Sequence, residues 1–216
     1  MTIVKGMRAA FVAAMAAFSL SGCLSMTSYV DPTLGELSPA AKVQVTDKRP
    51  VQFIFAFQTN GAANSNATNV LSKSATDYVT ASGLFSEVSS KPVAGGAILS
   101  VTINNVPEAN AAGQGFTTGL TFGLAGSTVS DFYVGSAKYT PGAGLPTASA
   151  EKKHTMISTI GATAAPAGLK PAKSIDEAVN TITRQLFEHL LNDIAKDPAF
   201  KSPAKVSQLN AAADAG

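Results

Sequence analysis

The strongest constraint on the fold lies near the C-terminus, where residues 174–198 spell out a helix with one apolar side. Ser174 and Glu177 sit in the pattern Ser-Ile-Asp-Glu, a capping box whose hydroxyl and carboxylate satisfy backbone donors left open at a helix start. Ile175, Val179, Ile182, Leu186, Leu190 and Ile194 follow at spacings of three and four, and Asp197-Pro198 closes the run. A helix this one-sided cannot bury its own stripe. The chain must therefore offer a sheet, or a partner, to cover it.

The segments upstream read as that sheet. Val51 to Gln58 (VQFIFAFQ) is an apolar, aromatic run that suits a central strand covered on both faces. Asn60 to Asn66 reads as a loop, and a helix is expected from Ala67 to Ser82, with Val70, Leu71, Ala75, Tyr78 and Val79 on one stripe and Gly83 as its stop. Leu84 to Ser89, Ala97 to Val106, Ser127 to Thr140 and Glu151 to Ile160 supply further strands, the last two joined through the loop Pro141 to Pro146. The expected fold class is α+β: a two-layer sandwich with a mixed sheet of about five strands and two helices on one face. It occupies residues 51–200 as one domain, with residues 201–216 as a disordered tail.

The other end of the chain carries a targeting signal. Lys5 and Arg8 precede the apolar run Ala9 to Leu20, which is signal-peptide length and shorter than the roughly 20 residues a membrane span needs. The run ends in Leu20, Ser21, Gly22 and Cys23, which resembles the bacterial lipobox. The resemblance implies removal of residues 1–22 as a signal peptide and a lipid (diacylglycerol and palmitate) anchor on Cys23. Small side chains at Ser21 and Gly22 fit a peptidase cleft, and only a thiol forms the thioether. Cys23 is the single cysteine of the 216 residues, so no intramolecular disulfide competes for its sulfur. Several acyl chains, at roughly 0.8 kcal/mol per buried methylene, hold a protein firmly where one does not. Leu24, rather than an aspartate, resembles the sorting pattern for the outer membrane, facing the periplasm. Residues 23–50, with Pro32, Pro39 and Pro50, read as lipidated N-terminus and tether, with an ordered arm wrapping the domain as the alternative.

Charge narrows the function. The chain holds 16 Lys and Arg against 14 Asp and Glu; losing Lys5 and Arg8 leaves 14 of each. Without a cationic surplus, nucleic-acid binding or polybasic lipid docking has little electrostatic support. The common nucleophile-elbow, zinc-protease, redox-cysteine and phosphate-loop motifs are absent from the sequence, and no cofactor or metal site is expected. Ser149-Ala-Glu-Lys152 and Ser202-Pro-Ala-Lys205 match Ser-x-x-Lys without its companion motifs. His154 reads as a surface or edge residue and His189 as half-exposed; Asp176 and Glu177 are explained by a helix N-terminus.

One stretch departs from an ordinary loop. Gly113 to Gly126 (GQGFTTGLTFGLAG) carries no charge and sets Phe116, Leu120, Phe122 and Leu124 among glycines. Period two makes it a half-buried strand; period 3.6 stacks Gly115, Gly119 and Gly123 into a small-residue stripe. Its four large side chains are candidate partner or membrane contacts. In addition, the phrase Ala81-Ser-Gly-Leu-Phe-Ser-Glu-Val88 after a helix, followed by the strand Ala97 to Val106, resembles the α/β domain of small envelope lipoproteins. That group includes transporter auxiliary lipoproteins and the periplasmic domains of TolB and CsgG. The resemblance implies an accessory or assembly part. The expected function is thus a non-catalytic binding or scaffolding lipoprotein with an envelope protein partner, membrane-bound through its acyl anchor; the alternative is an envelope hydrolase acting on cell-wall or lipid substrate, using Ser149 or a dispersed site.

Overall fold

A computed structural model of the chain describes residues 25–107 and 126–201. Cys23, the lipobox, the tail from residue 202 and the four apolar candidates Phe116, Leu120, Phe122 and Leu124 lie outside the described residues. In chain order the strands are β1 (Met26–Val30), β2 (Arg49–Thr59), β3 (Ala62–Ala63), β4 (Phe85–Ser89), β5 (Ile98–Pro107), β6 (Ser127–Thr140) and β7 (Ala148–Ile160). The helices are α1 (Ser65–Ala81), α2 (Ile175–Lys196) and the single turn α3 (Pro198–Lys201).

The described strands form one mixed sheet in the order β1-β7-β6-β5-β2-β3, with β4 pairing β2 beside β3. β2 runs parallel to β4 and β5; the β5, β6, β7 and β1 ladders are antiparallel. The fold is therefore α+β, with seven strands among the described residues, two more than the sequence pattern predicts. β3 comes from the dipeptide Asn60-Gly61, whose backbones sit at φ 52° and 77°. Both positive angles make the tight turn that right-twisted hairpins favour, and Thr59 and Gln58 pair with Ala62 and Ala63. The expected loop is thus a hairpin, and α1 starts at Ser65, with Asn64 Oδ1 accepting from Ala67 N at 3.0 Å.

β1 is the other addition. Met26 to Val30, within the expected tether, pairs with Ile160 to Met156, so this part of the tether is ordered sheet edge. The connection to β2 then lies along α2. Glu36 pairs with Arg184 at 2.5 Å, Leu37 N and Lys42 Nζ both donate to the Glu188 carboxylate, and Val43 N donates to Asn192 Oδ1 at 2.8 Å. Pro39 opens a short 3-10 turn in this arm rather than loosening it.

Alternation decides what the sheet buries. Val51, Phe53 and Phe57 of β2, Leu99, Val101 and Ile103 of β5, and Tyr133, Ala137 and Tyr139 of β6 are buried. Ile54, at an intervening position of β2, is 46% exposed, so the expectation that this strand is covered on both faces fails there. Against the buried positions lie Ile182, Leu186, Leu190 and Ile194 of α2, all fully buried, each contributing about 1.5–3 kcal/mol on burial. Phe187 fills the centre, with its ring 5.9–6.1 Å from those of Phe53, Phe55 and Tyr78. Gly135 lets the helix come close: a methyl group there would meet Leu190 Cδ1 at 2.9 Å. On α1 the stripe is Leu71, Ala75 and Val79, while Val70 points outward at 77% exposure.

Candidate binding cleft

β2 and β5 are parallel, so both deliver their C-terminal ends to one side of the molecule. The chain turns back into α1 from β2 and into α2 after β7, which brings the starts of both helices to the same side. Between them opens a cleft of about 710 Å³. Clefts at the carboxyl ends of parallel strands, flanked by helix starts, are where open sheets present backbone and side-chain polar groups to ligands.

One wall is apolar, built from Phe57, Leu71, Tyr133, Val179 and the outward Val70. Phe57 and Tyr133 pack edge to face, centroids 6.5 Å apart. The polar wall carries Thr59, Asn64, Asn66, Asn105, Asp176 and Asn180. Much of it is committed to structure: Asn64 Nδ2 donates to Thr59 Oγ1 at 3.1 Å while its oxygen caps α1, and Asn180 Nδ2 donates to Asp176 O at 2.9 Å. Asn105 is different. Its Nδ2 is buried and has no hydrogen-bond partner among the described residues. A buried amide left unpaired costs about 1–3 kcal/mol, a cost that the neighbouring Asp131 carboxyl relieves in part.

Two further groups surround it. Asn105 is opposite Tyr133 and Pro107 opposite Asp131 in the β5–β6 ladder, which puts Asp131 on the same side of the sheet as Asn105 and Tyr133. Burial raises the Asp131 carboxyl above the usual aspartate range, against the lowering effect of the Asn105 amide beside it, which is near enough to favour the charge without completing a hydrogen bond. Burial, and then the Asp131 charge, push the Tyr133 hydroxyl up so that it stays protonated. The cleft and the strand beside it therefore bring together the Asn105 amide, the carboxyls of Asp131 and Asp176 and an aromatic floor. This is recognition chemistry for a group that combines an acceptor with an apolar body.

The residues singled out from sequence fall elsewhere. Ser149 is exposed near the start of β7, and Lys152, three positions on, points to the other face and pairs with Asp193 of α2 at 2.7 Å. Ser-x-x-Lys brings its side chains together on a helix; on a strand, residues three apart diverge. Ser202 and Lys205 lie outside the described residues. His154, expected at the surface, is only 4% exposed: its Nδ1 accepts from Thr155 N and its Nε2 bonds Gln185 Oε1 at 2.5 Å. His189 is half-buried, with Nε2 3.3 Å from Gly35 O. Ser174 Oγ accepts from Glu177 N at 3.1 Å, but the Glu177 carboxylate returns to Lys173 N, one residue earlier than a standard box. Among the described residues no group of three or more His, Cys, Asp or Glu is placed to hold a metal ion, and no helix is long and apolar enough to cross a membrane.

Sequence reasoning missed Asn105 and Asp131. The usable signal was a pair of asparagines ending a β-branched run, and an aspartate in mid-strand, both unfavourable for sheet without a further role. No protein-family model matches the chain, and no curated protein matches it in sequence.

Proposed function

We propose that this chain is a lipid-anchored envelope protein that binds a protein partner and performs no chemistry of its own. In this reading Cys23 carries the acyl chains and the protein sits on the periplasmic face of the outer membrane. The domain is a two-layer sandwich, with α1 and α2 together on one face of the sheet, and its cleft at the strand ends receives a segment of the partner. The observation that carries the binding role is the buried, unpaired Asn105 amide beside the Phe57–Tyr133 floor. An extended segment would bring a backbone carbonyl to the Asn105 amide as the cleft opens around it, while an apolar side chain covers the exposed Val70. The hydrolase alternative loses its one named pair, because Ser149 and Lys152 diverge.

A photo-crosslinking side chain at Val70 tests the reading in cells. It is expected to trap an envelope protein, and Asn105→Ala is expected to cut that adduct at least tenfold while the melting temperature holds. Absence of an adduct, or one indifferent to Asn105→Ala, overturns the cleft as a binding site.

A further inference from the structure

Charge is distributed along the strands with a strong polarity. Met26 of β1, Ile160 of β7 and Ser127 of β6 are aligned by register, so the start of β1, the end of β7 and the start of β6 form one end of the sheet. Residues 25–30, 126–130 and 155–169 contain no charged side chain. At about 3.3 Å per residue the neutral zone is roughly 15 Å deep. The β2–β3 hairpin reaches the same end, and residues 50–72 are likewise uncharged. The opposite end holds Asp47, Lys48 and Arg49 before and at the start of β2, Lys138 near the end of β6, Lys196 at the end of α2 and Lys201 at the end of α3.

Exposed apolar side chains follow the same polarity. Of the five large hydrophobics exposed among the described residues, Met26 lies on the neutral end of β1, Phe132 follows Asp131 just past the neutral end of β6, Ile175 begins α2 ahead of Asp176 and Glu177, and Val70 stands in the early turns of α1. Only Ile54 lies away from that end. Only the strand ends of this rim are uncharged, because the start of α2 beside them carries Lys173, Asp176 and Glu177; a neutral strand edge bearing an exposed methionine matches the boundary between lipid headgroups and acyl chains, where apolar side chains are stabilised and unpaired charges are not.

We propose that this end of the sheet rests against a lipid bilayer, so that the protein is held end-on rather than swinging on its tether. The proposal rests on the anchor at Cys23. From Ser25 only two residues lead back to Cys23, a reach of about 7 Å, so an acylated cysteine brings this rim to the membrane surface with no free linker between. Lys170 and Lys173 lie on the loop leading into α2, with Lys173 Nζ 3.8 Å from the Glu177 carboxylate and Asp176 exposed beside it, so charge at this loop is balanced rather than cationic. The end-on posture also directs the mouth of the Asn105 cleft toward the bilayer, which selects a partner segment that emerges at the membrane surface.

The chain contains no tryptophan, so a single introduced indole reports cleanly. Thr128→Trp on the neutral end and Ser149→Trp on the charged end both replace exposed strand residues remote in sequence from Cys23. Each full chain is produced with its own leader and added to vesicles of phosphatidylethanolamine and phosphatidylglycerol with brominated acyl chains. Quenching in the Thr128→Trp variant at least threefold stronger than in the Ser149→Trp variant is expected; equal quenching, or none, overturns the end-on contact. Mass spectrometry of the N-terminal peptide separates the two ideas. Acylation with equal quenching leaves the anchor standing and removes the contact, whereas selective quenching of a chain without acyl mass leaves the contact and removes the anchor.

Discussion

His154 shows how much a single residue depends on the layer placed over it. The sequence puts it in a strand beside Lys152 and Lys153, where a surface position is natural; alternation instead turns it under α2, onto Gln185. Burial lowers its pKa below the ordinary histidine value, with the Gln185 bond opposing. The folded state thus resists a proton that the unfolded chain accepts, so stability is present above about pH 6.5 and is lost as pH falls through that value toward the folded pKa. Thermal melting is expected to decline from pH 7 to pH 5, and His154→Gln to flatten that decline while costing about 1–3 kcal/mol at pH 7 through the altered bond to Gln185. A pH slope unchanged in the variant would show that another group sets it. The carboxyl of Asp31, held low by its hydrogen bonds from Thr33, acts in a more acidic window and does not confuse this one.

Among the elements, α2 was the most legible because its instructions are local. A capping serine, a stripe at helical spacing and a closing Asp-Pro lie within one segment, and the buried residues include most of the stripe, with its first member, Ile175, exposed. β1 and β3 were illegible for the opposite reason. Met26 to Val30 becomes a strand only because Met156 to Ile160 lies alongside, and no local pattern announces a partner so distant in sequence. The arm between β1 and β2 is likewise a tertiary product, tied to α2 by polar bonds of which those from Leu37 N and Lys42 meet on Glu188. Such bonds are individually weak. Glu188→Ala is expected to lower global stability by about 1 kcal/mol or less, yet to raise amide exchange of residues 36–43 at least tenfold, read by hydrogen exchange with mass spectrometry. Uniform exchange across the chain would mean that the arm is held by something else.

Across the molecule, the neutral rim, the cleft at the strand ends and the proposed anchor two residues before Ser25 converge on one side. If the anchor is what holds the protein in place, Cys23→Ser should move it from the membrane fraction to the soluble periplasmic fraction without altering its melting curve; retention in the membrane fraction would point to the rim alone. The charge balance, the lone cysteine in its lipobox-like context, and the two long helices with the strand candidates between them could all be read from the residues in order, because composition, spacing and capping act over a few positions. Folding in three dimensions was needed to settle which strands are neighbours, that the proline-bearing arm is tied down, that His154 is buried, and that Asn105 and Asp131 meet beside Tyr133. Those outcomes depend on register and on which face a helix covers, and both are set by contacts between residues far apart in the chain.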